Sequence, residues 1–246
     1  MKINEATEAI IAELWSRIEP QVREGRSLEE GAHALATELY MQFADSVVLA
    51  RVFLTVRFDV LPVDLRLFVE NLAHAAGKAD SLKGPLPVLS LVGTHGQEAA
   101  WNARQNSRGH QGIPVFSASF VTAIPMIARL FRELGVPLHW IDSHDARRIA
   151  TLVGHSGGLF FVPDAKTAVD EHGRKIITDE DFVTDYGVQT VFGTGTVYAR
   201  GQILVIVIFC KDEVKRATAQ QFPPLGDLFK RATASLVDAG RVFTPI

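Results

Sequence analysis

Hydrophobic residues recur at intervals of three and four near the start of the chain, which is the spacing of an amphipathic helix. The spacing predicts one helix over residues 5–24, with Gly25 at its end, and a second that runs to about residue 44. Ser27 followed by Glu30 is typical of a capping box and marks the start of the second helix. The same periodicity predicts the buried side chains of the second helix: Leu28, Ala32, Leu35, Leu39, Met41 and Phe43.

Runs of β-branched and apolar residues predict strands over residues 47–56, 87–92 and 159–163. The glycine-containing stretch 93–96 is expected to be a turn that ends the second of them. A third helix is predicted over residues 62–76, with a proline in its first turn.

The last third of the chain has the clearest pattern. Strands are predicted over residues 188–198 and 202–209, and the short link between them contains Gly201, so the two are expected to form a β-hairpin. The second of these strands is apolar throughout, which is typical of a central strand covered on both faces. A helix over residues 224–238 is predicted to follow the hairpin.

The middle of the chain is less regular. Residues 101–115 are polar and contain two glycines, so we interpret them as a long loop. A helix is predicted over residues 117–134, and Pro125 either starts it or kinks it. A brief strand over residues 138–141 and a helix over residues 145–153 are expected next.

Composition and charge are those of an ordinary globular domain, with 47% hydrophobic residues, 22% charged residues and a formal net charge of −3. The slightly acidic balance disfavours nucleic acid as a partner. The longest strongly apolar run, residues 203–210, is too short to span a bilayer, so no membrane partner is expected. No secretory signal pattern is visible, and the expected location is the cytoplasm.

Few residues suggest metal or covalent chemistry. Cys210 is the only cysteine, which excludes an intramolecular disulfide framework and a multi-cysteine metal site. The spacing of His139, His144 and His155 does not supply a three-ligand set, so no metal is predicted. No pair of carboxylates and no Ser/His/Asp set indicates catalysis, and we do not expect an enzyme. The cofactor is unknown at this point.

The order of elements from residue 160 to residue 237 resembles the GAF family of small-molecule sensor domains. It comprises a strand ending in F-V-P-D-A, a short helix in T-D-E-D-F-V-T-D-Y-G-V, the hairpin, and a helix beginning P-P-L-G-D-L-F. The motif W-N-x-R-x-x-S-R-G-H over residues 101–110 resembles a segment of GAF-like input modules of bacterial sensor histidine kinases. The whole resemblance extends over about residues 47–237.

The resemblance implies an α+β fold of the PAS/GAF type. A central antiparallel sheet would carry the N- and C-terminal helices on one face and an irregular helical and loop segment on the other. One domain is expected over residues 1–246, with a helical extension over 1–45 and a GAF-like core over 46–239. Bilin-binding relatives hold their chromophore through a pocket cysteine, and Cys210, at the end of a central strand, does not match that position.

The polar residues of the W-N-x-R-x-x-S-R-G-H motif are the candidate ligand site. Arginine offers a fixed fork for a carboxylate or phosphate, tryptophan a flat apolar wall, and histidine a group that titrates near neutrality. The structural alternative is that these side chains only satisfy the backbone groups of the loop, with Arg108 paired to an acidic neighbour. The predicted ligand-binding residues are Trp101, Asn102, Arg104, Ser107, Arg108 and His110.

Together with the resemblance, these patterns predict a module that senses an unknown small molecule and signals through helix-mediated contacts. The expected partners are a second copy of the chain, joined through the terminal helices, and a histidine kinase or response regulator. An exposed Trp15 on the first helix would support the dimer. The alternatives are a ligand-free interaction or dimerisation module whose pocket is filled by Trp101 and Phe160, and a small-molecule enzyme.

Overall fold

A single antiparallel sheet organises the computed structural model, which describes residues 1–107, 109–142 and 158–245. In the described residues its strands are β1 (Val47–Arg57), β2 (Pro87–Gly96), β3 (Gly112–Pro114), β4 (Gly158–Val162), β5 (Thr190–Val197) and β6 (Ile203–Cys210). Their spatial order is β3-β2-β1-β6-β5-β4, and each neighbouring pair is antiparallel. The two central strands are β1 and β6, and every residue of β6 is buried, as its apolar sequence predicts.

Helices cover both faces of the sheet. One face carries α1 (Glu8–Glu24), α2 (Leu28–Gln42), α3 (Val63–Ala75), α7 (Arg216–Ala219) and α8 (Pro223–Asp238). The other carries α4 (Ala118–Thr122), α5 (Pro125–Glu133) and α6 (Glu180–Asp185), with the loops that join them. The predicted α+β class, with terminal helices on one face and an irregular segment on the other, is confirmed. None of the helices in the described residues is both long and apolar enough to cross a membrane.

The N-terminal helices begin and pack largely as their sequence predicts. Ser27 Oγ accepts the backbone N–H of Glu30 at 3.2 Å, while the Glu30 carboxylate accepts the N–H of Arg26, one residue before the usual capping-box partner. Trp15 is buried within the chain at 6% exposure, so it offers no support for a dimer. The prediction that Met41 is buried is wrong, because its position lies on the solvent side of α2 and it is 62% exposed.

The predicted turn at residues 93–96 is wrong, because β2 continues through it to Gly96. The glycine at position 93 serves close packing here. A Cβ at Gly93 would lie 2.3 Å from the carbonyl oxygen of Ala32, so α2 can approach the strand this closely only because the side chain is missing. Sequence alone assigns such a glycine to a turn.

The middle of the chain contains more regular structure than the predicted loop. Residues 112–114 form the edge strand β3, paired with β2. Pro125 starts a separate helix after α4, so the single predicted helix over 117–134 is two. The brief strand predicted over 138–141 is wrong, since Leu138–Trp140 is a 3₁₀ turn closed by the N–H of Ile141 on the carbonyl of Leu138. The predicted helix over 145–153 lies outside the described residues.

The β5–β6 hairpin is confirmed, and its turn needs Gly201, whose φ is +90°. Residues of α1 and α2 belong to the same hydrophobic core as those of α8 and the sheet. The division into an extension over 1–45 and a core over 46–239 stays a prediction.

Candidate functional site

A cavity of about 400 Å³ lies on the face of the sheet that carries α4, α5 and α6. Leu49 and Arg51 of β1 and Phe209 of β6 form part of its floor, and the connection between β2 and β3 covers it through Trp101 and His110. A volume of this size is within the range of small-molecule sites, about 300–1,000 Å³. Other lining residues are Glu98, Ala100, Asn106, Gly109, Ile124, Met126, Ile176, Ile177, Thr178, Asp179, Phe182 and Tyr186.

One wall of the cavity is a cluster of aromatic rings. The ring centroids of Trp101 and Tyr186 are 4.6 Å apart at an interplanar angle of 60°, and those of Trp101 and Phe182 are 5.7 Å apart. Phe182 in turn meets Phe209 edge to face at 5.4 Å. Phe182 and Tyr186 are four residues apart around α6, which places both rings on the side of the helix that faces the indole. These edge contacts hold Trp101 as a flat apolar surface.

The segment that covers the cavity is held by its own hydrogen bonds. Asn102 Oδ1 accepts the backbone N–H of Gly96 at 3.0 Å and fixes the segment to the end of β2. Ser107 donates its hydroxyl to the carbonyl of Gly109 at 2.8 Å, and Gln111 donates its amide to the carbonyl of Ser107. Asn102 and Ser107 therefore shape this cover, and neither is among the residues that line the cavity.

Arg104 points away from the cavity and contributes to the core. Its side chain is 5% exposed; Nε lies 2.5 Å from Glu29 Oε1 and Nη1 lies 2.7 Å from Asp64 Oδ2. The guanidinium also lies over the ring of Phe243, 5.3 Å from its centroid. The expectation that this residue offers a free fork to a ligand is corrected: its donors face two carboxylates of α2 and α3.

His110 has an unusual backbone at the mouth of the cavity. Its φ of +56° is positive, and within the described residues it is the one non-glycine residue for which this holds. Such a conformation costs roughly 1–2 kcal/mol for an L-residue, and it is found preferentially at functional sites. The imidazole lies beside the cavity.

The surroundings of His110 favour the neutral form of its imidazole, because they lower its pKa. The residue is exposed at the mouth, but the protein around the ring withholds part of its hydration, and this burial lowers its pKa from the ordinary value. The charge of Arg51 lowers the pKa of His110 further, and the carboxylate of Asp179 opposes the shift. A neutral imidazole can donate one hydrogen bond and accept another.

Arg51 is the charged residue of the cavity floor that the sequence motif missed. It lies in the middle of β1, opposite Thr94 on β2 and Val207 on β6, and it faces the cavity like Leu49 two residues earlier. The sequence signal for this residue is an arginine inside the otherwise apolar run V-V-L-A-R-V-F-L. A charged side chain in a buried strand is rare unless it has a partner.

Of the six predicted site residues, the structure brings two, Trp101 and His110, to the cavity. Asn102, Arg104 and Ser107 have structural contacts, and Arg108 lies outside the described residues. Whether any of them binds a ligand stays a prediction. Within the described part of the chain no group of three metal-ligating side chains is present, and His144 and His155 lie outside it.

Cys210 is remote from this chemistry. It belongs to the core on the opposite face of the sheet, packed with the residues of α1, α2 and α8, and it is fully buried. Burial is the main cause that raises the pKa of its thiol, and the negative charge of Asp212 adds to it. The thiol is therefore protonated and inaccessible from the cavity.

This placement predicts that Cys210 is unreactive in the native protein. We expect the thiol reagent dithionitrobenzoate to modify it more than about 100-fold more slowly in buffer than in denaturant, because reaction requires opening of the central strands. The absorbance of released thionitrobenzoate measures both rates. Fast, stoichiometric modification of the folded chain would show that the thiol is accessible.

Comparison with solved structures gives matches of low sequence identity. The chain is similar to a free methionine-R-sulfoxide reductase from Neisseria meningitidis in complex with its substrate, with 11% identity, a TM-score of 0.49 and 96% of each chain covered. It is similar to a phycoerythrobilin-bound GAF domain of a cyanobacterial phytochrome, with 12% identity, a TM-score of 0.49, and 93% of this chain and 97% of that chain covered. A third structure, described as a GAF domain, gives 13% identity and a TM-score of 0.48, covering 94% and 92%.

The GAF-like fold expected from the sequence agrees with these matches. Likeness at this level carries no argument about ligand or activity. No family model and no curated protein matches the chain.

Proposed function

We propose that the chain is a small-molecule-binding sensor domain whose ligand occupies the cavity over β1 and β6. The observation that carries this proposal is the convergence of Arg51, His110 and Asp179 on a cavity of about 400 Å³ that has an aromatic wall. A largely apolar concavity with a few convergent polar groups is typical of ligand sites. The strained backbone of His110 and the lowered pKa of its ring support a functional role for this cavity.

An interaction module with a filled pocket and a function that depends on a thiol are less well supported. An interaction module with a filled pocket would have Trp101 and Phe160 inside the cavity, whereas Trp101 lies along its wall and Phe160 does not line it. A thiol-dependent reaction, or a chromophore attached through a cysteine, would need a thiol in the cavity, and the chain's single cysteine, Cys210, lies on the other face of the sheet.

The proposal includes signalling through the helices on the opposite face. Only the β-sheet separates the cavity from these helices. Leu49 of β1 faces the cavity side, while Ala50 and Val52 pack in the core with α1, α2 and α8. A ligand shifts the packing of these helices only if it binds two arrangements with different affinity. A homodimer and a histidine kinase or response regulator as partner are part of this proposal.

A cavity-blocking variant tests the ligand site. We expect the neutral fluorescent probe N-phenyl-naphthylamine to bind the native chain saturably and at one site. Ala100→Trp is expected to weaken this binding at least about tenfold, which corresponds to about 1.4 kcal/mol, because the new indole occupies the cavity mouth. Fluorescence titration measures both affinities.

The matched control is Ala12→Trp, which makes the same substitution at an exposed position of α1. We expect this variant to bind the probe as the native chain does. Failure of the native chain to bind the probe, or an equal loss in both variants, would argue against the cavity as a ligand site and favour the interaction module.

A further inference from the structure

The guanidinium of Arg51 lacks an anionic partner in the part of the chain that the structure describes. Nη2 donates to Ser107 Oγ at 3.0 Å and Nη1 donates to the carbonyl of Gly109 at 3.4 Å. Both acceptors are neutral, and Nε is buried without any hydrogen-bond partner among the described residues. No carboxylate of those residues lies within 4.0 Å of the group, Asp179 included.

Arg51 nevertheless carries its charge at neutral pH. Burial lowers its pKa to about 10, with Asp179 opposing the shift. A cation removed from water and held only by neutral acceptors is unfavourable, because buried charges are normally paired with an opposite charge. The two acceptors, Gly109 and Ser107, come from the segment that covers the cavity, so this segment fixes the position of the guanidinium.

The other charges of the cavity limit what this anion can be. Glu98 and Asp179 also line it, and both are exposed side chains at its rim. Two carboxylates at the rim disfavour entry of a ligand that carries more than one negative charge. The rings of Trp101 and Tyr186 beside the floor suit a flat apolar body.

We propose that the ligand is a small aromatic monocarboxylate whose carboxylate binds the guanidinium of Arg51 and whose ring contacts Trp101 and Tyr186. This inference rests on the proposed function, because it assumes that the cavity is the ligand site. A carboxylate forms short, charge-assisted hydrogen bonds with a guanidinium, and its planar shape matches the fork of an arginine. The bound anion would give the guanidinium of Arg51 the close negative charge that it lacks among the described residues.

Three probes of similar shape test the charge requirement on the native chain. We expect naphthoate to bind about 10- to 100-fold more tightly than naphthamide, the range for a hydrogen-bonded charge against a neutral group. Naphthyl phosphate, with a larger negative charge at pH 8, is expected to bind more weakly than naphthoate. Isothermal titration calorimetry at pH 8 measures the three affinities. Equal affinity for naphthoate and naphthamide, or tighter binding of the phosphate, would overturn the proposal.

Variants at Arg51 assign the effect to this residue. Arg51→Met is expected to reduce naphthoate binding to the level of naphthamide, while Arg51→Lys retains part of the preference because it keeps the charge without the fork. The control is Arg200→Met at an exposed arginine of the hairpin turn, which we expect to leave all affinities unchanged. A native-like thermal midpoint shows that each variant is folded, and an unchanged preference for naphthoate in folded Arg51→Met would overturn the assignment.

The outcome separates this inference from the proposed function. If naphthoate and naphthamide bind equally and Ala100→Trp weakens both, the cavity is a ligand site and only the monocarboxylate is wrong. If neither these probes nor N-phenyl-naphthylamine binds, the ligand site itself is wrong.

Discussion

Arg104→Met is expected to lower the free energy of unfolding by about 3–5 kcal/mol, the cost of removing one partner from a buried ion pair. The guanidinium is 5% exposed and lies between Glu29 and Asp64, whose side chains are 15% and 33% exposed. Methionine fills a similar volume without a charge. The variant therefore leaves two carboxylates close to each other with no cation between them.

The loss of stability extends beyond the two ion pairs, because the guanidinium of Arg104 connects helices that are separate in sequence. Glu29 belongs to α2 and Asp64 to α3, and Glu29 Oε2 also accepts the backbone N–H of Thr244 at 2.9 Å. The ring of Phe243 contacts the guanidinium from the same C-terminal segment. Removing the cation weakens the attachment of this segment and of the cavity cover to the helices.

Urea unfolding monitored by circular dichroism measures the effect, and Arg23→Met is the matched control. Arg23 forms an exposed pair with Glu19 on α1, at 58% and 34% side-chain exposure, so its loss is expected to cost less than about 0.5 kcal/mol. Adding Glu29→Gln and Asp64→Asn to Arg104→Met is expected to recover part of the stability, because the unpaired charges are then gone. A loss below about 1 kcal/mol for Arg104→Met would mean that the group is solvated and not structural.

Arg104 and Arg51 show why sequence patterns alone do not tell which arginine is available to a ligand. The motif over residues 101–110 contains the polar residues, and from sequence any of them is available to a ligand. The acids that neutralise Arg104 are 75 and 40 positions away along the chain, at Glu29 and Asp64, and only the folded arrangement brings them together. Arg51 lies in an apolar strand and belongs to no polar motif, so the sequence pattern does not mark it as a site residue.

The fold was more predictable than the site because its signals are local. The hairpin of β5 and β6 has a run rich in threonine and valine, a glycine turn and an apolar run within 21 residues, so its pairing follows from neighbouring positions. The edge strand β3 is only three residues long and depends on pairing with β2. A Cβ at Gly112 would lie 2.8 Å from the Val69 side chain of α3, a contact that has no signature in the sequence around it.

Gly93→Ala is expected to lower the free energy of unfolding by about 3 kcal/mol or more, at the upper end for overpacking of a core. The added Cβ would lie 2.3 Å from the carbonyl oxygen and 2.4 Å from the carbonyl carbon of Ala32. These are backbone atoms of α2, so no rotamer change relieves the contact. Either the helix moves away from the sheet or β2 bends, and both disturb contacts of fully buried residues such as Leu35 and Val52.

Gly226→Ala is the matched control because it also lies where a helix packs on the sheet. A Cβ there would be 3.5 Å from its nearest neighbour, Thr194 Cγ2, an ordinary contact, and alanine is expected to stabilise α8 by about 0.5–1 kcal/mol. Urea unfolding of both variants therefore gives changes of opposite sign for the same substitution. If Gly93→Ala instead loses less than about 1 kcal/mol, α2 and β2 can separate without cost, and the close approach of this helix does not require glycine at position 93.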